Sequence, residues 1–344
     1  MQETILVFGA TGQQGGAVIE HLLDVQKETN TFDIRALVRN PTAEKSIELK
    51  AEGVDLVVGA MEDVSALKKA LEGVTRVFFH TTHNTFKGED WKAELARGMQ
   101  VVRAFETCET LQQIIYSTLP SIEGYHESLG KVALEKEMRR LELPLTTVLS
   151  PFYLENFINI WPPIRRWFGC FGALQWGWLP TTENLRMPHG SVKDFGGVVA
   201  RVLRLPTSDY LNRKVTIVAE DLLLEDILKS LATGIGAPIV WQPLSLPVFW
   251  QLPFPKEALS GLAFYAEKLA DKKQVEEGFL MTTAVGPESL KEAEEETQSL
   301  YPSIQSIETW AKLNRQALTG RTLKKTVIAF LLFWAKMKSK IRQK

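Results

Sequence analysis

Short apolar runs alternate with amphipathic stretches through the first 150 residues of the chain. Residues 4–8, 33–38, 54–58, 74–79, 112–116 and 145–149 carry branched and aromatic side chains at the density of strands buried in a sheet. Between them, residues 17–23, 91–109 and 130–140 space their apolar positions at the helical period. Strand and helix in alternation predict an α/β fold with a doubly wound parallel sheet. Residues 215–218 add a late strand, and residues 221–239 and 257–277 read as helices of a smaller C-terminal lobe. Pro243, Pro247, Pro253 and Pro255 mark a rigid connector between those two helices.

The first strand runs into Gly9, Ala10, Thr11, Gly12, Gln13, Gln14, Gly15 and Gly16, and a helix follows at once. Glycine allows a tight exit from the strand, close approach of backbone to a pyrophosphate, and close packing of the helix, whose N-terminus then faces the anion. The spacing G-x-x-G-x-x-G differs from the usual dinucleotide fingerprint and is the variant of extended and atypical short-chain dehydrogenases. Gly9, Thr11, Gly12, Gln13, Gln14 and Gly15 are therefore candidate cofactor contacts. The second strand ends in Arg39, where a carboxylate would suit NAD and an arginine suits the 2′-phosphate of NADP. Arg39 selects NADP(H) over NAD(H), with Lys45 a secondary candidate beside it. Asp63 caps the helix after the third strand.

Other strand ends add polar residues along the same edge. The fourth strand ends in His80 and Thr81, and the fifth in Ser117; ligands of open parallel sheets lie outside these carboxyl ends. His80 and His83 have no nearby Cys, Asp or Glu to complete a metal set, so they read as loop polarity bordering the cofactor, and no metal site is expected.

The segments GATGQQGG, ALVRNP, IIYSTL and LSPFYLENF, in this order and spacing, resemble the NmrA-like family of atypical short-chain dehydrogenases. The resemblance covers residues 1–318. It implies a Rossmann fold, bound NADP(H), and either a regulatory, redox-sensing role or a reductase activity. It also implies that the turn after residue 149 packs beside the nicotinamide, with Tyr153 near the ring face and Asn156 fixing the loop. Lys131 matches the lysine that, in active short-chain dehydrogenases, lies four residues after a catalytic tyrosine. Here that earlier position is Glu127, and Tyr125 and His126 are off the i, i+4 spacing. Lys131 is thus a ribose contact in a sensor, a proton-handling group of a reductase, alone or with Tyr125 or His126, or a surface lysine.

Composition narrows the remaining classes. The net charge of −1 conceals eight basic and no acidic residues in positions 318–344, which leaves −9 on residues 1–317. A body so acidic argues against a nucleic-acid partner. Two cysteines, Cys108 and Cys170, form no disulfide framework, and a cytoplasmic location is expected. Residues 161–178 hold four tryptophans and two phenylalanines, suited to a hydrophobic small-molecule pocket, a homodimer or protein-partner face, or a membrane surface. Residues 324–344 place nine consecutive apolar residues between lysines, the pattern of a helix lying peripherally on an anionic membrane or docked on the body. The expected organisation is an NADP-binding domain over residues 1–155, a substrate or cap lobe over 156–317 that partly returns to the sheet, and a basic, apolar tail over 318–344. Asp194 is expected to cap a helix beginning at Phe195.

Overall fold

The computed structural model describes residues 3–82, 90–121, 126–159, 164–165, 174–176, 186–241 and 287–319. Tyr125, the aromatic segment 161–178 apart from its two short strands, the prolines from 243 to 255, the helix expected over 257–277 and the tail 324–344 lie outside the described residues.

Strands and helices alternate through the first part of the chain: β1 (Glu3–Val7), α1 (Gln13–Thr29), β2 (Phe32–Val38), α2 (Glu44–Ala51), β3 (Asp55–Val58), α3 (Val64–Leu71), β4 (Arg76–His80), α4 (Trp91–Glu106), β5 (Gln113–Thr118), α5 (His126–Arg140) and β6 (Leu145–Leu149). Then follow β7 (Phe152–Tyr153), α6 (Asn156–Asn159), β8 (Ile164–Arg165), β9 (Leu174–Trp176), β10 (Arg186–Gly190), α7 (Val192–Val202), α8 (Thr207–Tyr210), β11 (Lys214–Thr216), β12 (Glu220–Leu223), α9 (Leu224–Ile235) and β13 (Ile239–Trp241). The described chain closes with α10 (Pro287–Leu300), α11 (Ile307–Leu313) and α12 (Arg315–Thr319).

Seven strands form one parallel sheet in the order β11-β6-β5-β4-β1-β2-β3. The chain winds outward one way from β1 and the other way from β4, so the switch point, where such sheets bind ligands, falls between these two strands. Both faces of the sheet are covered. Val18, Ile19 and Leu22 of α1 and Phe195, Val198 and Val199 of α7 pack on one. Leu67 of α3, Val101 and Phe105 of α4, and Leu134 and Met138 of α5 pack on the other, where Phe8, Phe79, Phe105 and Tyr116 meet ring to ring. The α1–α7 contact is unusually close: a Cβ at Gly196 would sit 2.5 Å from the Ala17 carbonyl carbon.

A second, mixed sheet, β12-β10-β7, and a third, β13-β9-β8, lie apart from the main one. Half-buried carboxylates tie this part of the chain together. Glu155 accepts a hydrogen bond from the Val192 amide at the start of α7 (3.0 Å), and Glu220 from the Ile307 amide at the start of α11 (2.7 Å). Both place a negative charge on the unsatisfied donors of a helix N-terminus.

Two expectations change here. Residues 221–239 are not one helix: Glu220–Leu223 is a strand paired antiparallel with β10, the helix starts at Leu224, and a left-handed Gly236 ends it before β13. The apolar residues at its start satisfy a strand pairing as well as a helical face, and periodicity does not separate the two over four residues. The cap of α7 is Ser191 rather than Asp194. The Ser191 hydroxyl accepts from the Asp194 amide (3.0 Å) and donates to the Asp194 carboxylate (2.7 Å), which also accepts from the Gln305 amide (3.4 Å). This Ser-x-x-Asp arrangement starts the helix three residues earlier than expected. Asp63 does cap α3, accepting from the Ala66 amide at 3.0 Å.

Candidate active site

Parallel pairing brings the ends of β1, β2, β4, β5 and β6 to one edge of the sheet, and with them Gly9, Arg39, His80, Ser117 and Ser150. Gly9 leaves β1 in the left-handed conformation (φ 65°), and its carbonyl accepts from the Gly12 amide at 2.8 Å. A Cβ at Gly9 would fall 2.1 Å from the His80 Nε2 nitrogen, and one at Gly15 within 2.6 Å of the Phe8 and Gly9 carbonyl oxygens. Backbone conformation and close approach both demand glycine at position 9, and close approach alone demands it at position 15. Gly12 precedes α1, whose first turn carries no acidic side chain and no side-chain cap, so its amides remain available to an anion. A cleft of about 410 Å³ beside this turn is lined by Gly12, Gln13, Gly16, Lys45 and Lys193 among others. Lys45 reaches the Thr11 carbonyl at 3.4 Å.

Arg39 is exposed just past β2. The turn that carries it is held by Asn40, whose side chain accepts from the Thr42 amide (3.0 Å) and hydroxyl (2.8 Å).

His80 is the last residue of β4 and not part of a polar loop. Its imidazole is enclosed against the Gly9 turn, and Nε2 has no hydrogen-bond partner among the described residues. Burial, followed by the Lys131 ammonium, lowers its pKa from 6.5 to about 4, so the ring is neutral at physiological pH. Among the described residues no group of three His, Cys, Asp or Glu side chains could hold a metal ion.

Next to His80, Thr81 is buried and meets Lys131 and Glu94. Lys131 Nζ donates to the Thr81 carbonyl (2.5 Å), to Glu94 Oε1 (2.6 Å) and to the Thr81 hydroxyl (3.3 Å). The Thr81 hydroxyl in turn donates to Glu94 Oε1 (2.6 Å). The Glu94 side chain has no exposure and that of Lys131 only 13%. Glu94 was not among the residues the sequence pointed to. It occupies the buried stripe of α4, ahead of Gly98, Val101, Val102 and Phe105 at helical spacing, and a carboxylate in such a stripe is the signal that identifies it.

The turn after β6 brings Tyr153 to the glycine loop. Gln14 Nε2 donates to the Tyr153 hydroxyl (2.9 Å) and lies 3.5 Å from Ser150 Oγ, which hydrogen-bonds Ser117 Oγ (2.9 Å). Burial pushes the Tyr153 phenol well above its usual value, against the bonds from Ser150 and Gln14. Gln14 Oε1 is buried with no partner among the described residues. Asn156 opens α6, half-buried. His126 begins α5, but its side chain, like Tyr125, lies outside the described residues.

The residues fit a dinucleotide. A glycine turn that any Cβ would fill leads into an uncapped helix N-terminus, and enclosed polar atoms of Gln14 and His80 have no partner among the described residues. The gathered set is Gly9 to Gly15, His80, Thr81, Ser117, Lys131 and Tyr153, with Arg39 farther along the same edge.

Comparison with known proteins agrees with this geometry. An NmrA-like family domain-containing protein of Dictyostelium discoideum is 26% identical over 281 residues, 78% of this chain and 88% of the relative. The NmrA-like family domain-containing oxidoreductase himF of Aspergillus japonicus is 24% identical over 263 residues, 72% of this chain and 77% of the relative. Among solved structures, NmrA, a negative transcriptional regulator, superposes with a TM-score of 0.75 at 19% identity, covering 91% of this chain and 95% of NmrA. NmrA is also known in complex with NADP, with a TM-score of 0.73 at 20% identity over 90% of this chain and 94% of NmrA. The triphenylmethane reductase of Citrobacter sp., complexed with NADP(H), superposes with a TM-score of 0.65 at 20% identity, over 91% of this chain and 99% of the reductase. The model of the NmrA-like family matches residues 1–311, and the chain is a member of that family.

Proposed function

We propose that this chain binds NADP(H) at the β1–β4 switch point and acts as a redox-state sensor or regulator. Gly9, Thr11, Gly12, Gln13, Gln14 and Gly15 would cradle the pyrophosphate, and Arg39 would meet the 2′-phosphate. His80, Thr81, Ser117, Tyr153 and Asn156 would border the rest of the cofactor. A bound nicotinamide would supply hydride chemistry, and the question is whether this chain provides a proton to match.

The observation that carries the regulatory reading is the state of Lys131. All three N–H bonds of its ammonium already have acceptors in Glu94 and Thr81. Glu127 stands where the catalytic tyrosine of active relatives would be. Tyr153 is no substitute, since a phenol raised by burial is a poor proton donor at neutral pH. Cofactor occupancy would instead change the surface offered to a protein partner.

A second reading has support of its own. Relatives are named oxidoreductases, and a triphenylmethane reductase shares the fold. On that reading the chain is an NADP-dependent reductase of a hydrophobic carbonyl or aromatic substrate, with Lys131 handling the proton. Following NADPH absorbance against quinones, enones and aldehydes separates the two. The regulatory reading expects cofactor binding without consumption. Turnover that disappears in Lys131→Ala while NADPH still binds would establish the reductase instead.

A further inference from the structure

We propose that Glu94 is a positioning residue for Lys131, holding its ammonium fixed and fully bonded at the end of β4 so that it presents charge to the site from one place.

The geometry is built from two of the helices on this side of the sheet, α4 and α5. Helix α4 directs Glu94 inward, where its side chain has no exposure, and α5 brings Lys131 to it at 2.6 Å. Gly130, the residue before Lys131, permits the approach: a Cβ there would lie 2.9 Å from Glu94 Oε2 and 3.1 Å from the Trp91 carbonyl oxygen. A side chain at position 130 would force the carboxylate or the helix backbone away. Thr81 completes the set. Its carbonyl and its hydroxyl oxygen both accept from Lys131, and the hydroxyl proton goes to Glu94. Only the protonated lysine has three donors for these three acceptors, and a neutral amine would leave its lone pair facing an acceptor. Removing either partner would leave the other buried without its counter-charge, and Glu94 Oε2 already has no hydrogen-bond partner among the described residues, so Oε1 carries the contact to Lys131. The other titratable groups facing the pair are His80 from β4 and Tyr116 from β5, and Glu135 of α5 acts on Tyr116 from beyond. The Tyr116 hydroxyl lies 3.3 Å from the Lys131 carbonyl and does not compete for Nζ.

The functional meaning of the clamp rests on the NADP(H)-binding reading, but the clamp itself is tested without cofactor. Acylation needs a neutral amine with a free lone pair. Acetic anhydride footprinting with mass spectrometry, on the full chain at pH 8.5, would compare Lys131 with the exposed Lys136. In the wild type, Lys131 should be modified at least ~10-fold more slowly than Lys136. In Glu94→Gln, with a cooperative melting transition retained and unchanged Lys136 reactivity, Lys131 modification should accelerate ~10-fold or more. Glu94→Asp should lie between the two, because the charge remains but its reach is shorter, and it takes the place of Glu94→Gln if that variant does not fold. Wild-type Lys131 as reactive as Lys136, or a folded variant with Lys131 still protected at the wild-type level, would overturn the proposal. An NADPH titration of the same samples keeps the outcomes separate: a protected lysine with no NADPH binding removes the cofactor reading and leaves the clamp, and the reverse removes only the clamp.

Discussion

At the scale of single residues, the site is defined by side chains whose usual freedom has been removed. His80 is the clearest case, with an imidazole pressed on the Gly9 turn and kept neutral by burial and by the nearby ammonium. Its pKa is lowered on folding, so between pH 6.5 and about 4 the unfolded chain binds the proton and the folded chain does not. The stability it contributes is therefore complete above pH 6.5 and is lost as pH falls through that window. Urea unfolding at pH 7.5 and pH 5.0 should show His80 accounting for a loss of about 2 kcal/mol, read as the difference between wild type and His80→Gln. The comparison with the variant matters because Glu155 and Asp194, whose values are raised by burial, act with the opposite sign. Equal losses in both proteins would mean that the histidine is not held neutral.

At the scale of elements, the decisive contacts are close approaches that lack of a side chain allows. Helix α7 lies on α1 with Gly196 against the Ala17 backbone, and α1 carries the glycine turn at its N-terminus. Gly196→Ala places a methyl group within 2.6 Å of backbone atoms that cannot rotate away, and overpacking of this kind costs about 1–3 kcal/mol. Chemical denaturation should show that loss, and NADPH affinity should fall with it as α1 shifts. An unchanged midpoint would show that the two helices can separate freely. Much of this level was legible in the sequence. Six strands of the main sheet, the glycine turn and the Asp63 cap follow from periodicity and local chemistry, which act over a few residues. The strand over 220–223 did not, because it depends on a partner distant in sequence, β10; the Ser191 cap is local, and Ser191 and Asp194 are both residue types that cap helices, so composition alone does not choose between them.

At the scale of the whole molecule, the sheet gathers residues separated by more than a hundred positions onto one edge, and here sequence reading reached its limit. Arg39, His80, Ser117 and Lys131 were identifiable because strand ends and a family motif mark them. Glu94 was not, since a charge on a helix reads as solvent-facing until the helix is placed against α5. The family model matches residues 1–311, relatives are named oxidoreductases, and NmrA, a negative transcriptional regulator, shares the fold. The proposed function depends above all on cofactor recognition by the glycine turn and Arg39. Calorimetric titration of the full chain with NADPH and with NADH tests it most directly, alongside Arg39→Ala. NADPH should bind at least ~10-fold more tightly than NADH, and Arg39→Ala should remove this preference while leaving NADH affinity unchanged, as loss of a phosphate-binding arginine requires. Equal affinity for the two cofactors in the wild type, or a preference that survives in Arg39→Ala, would contradict it.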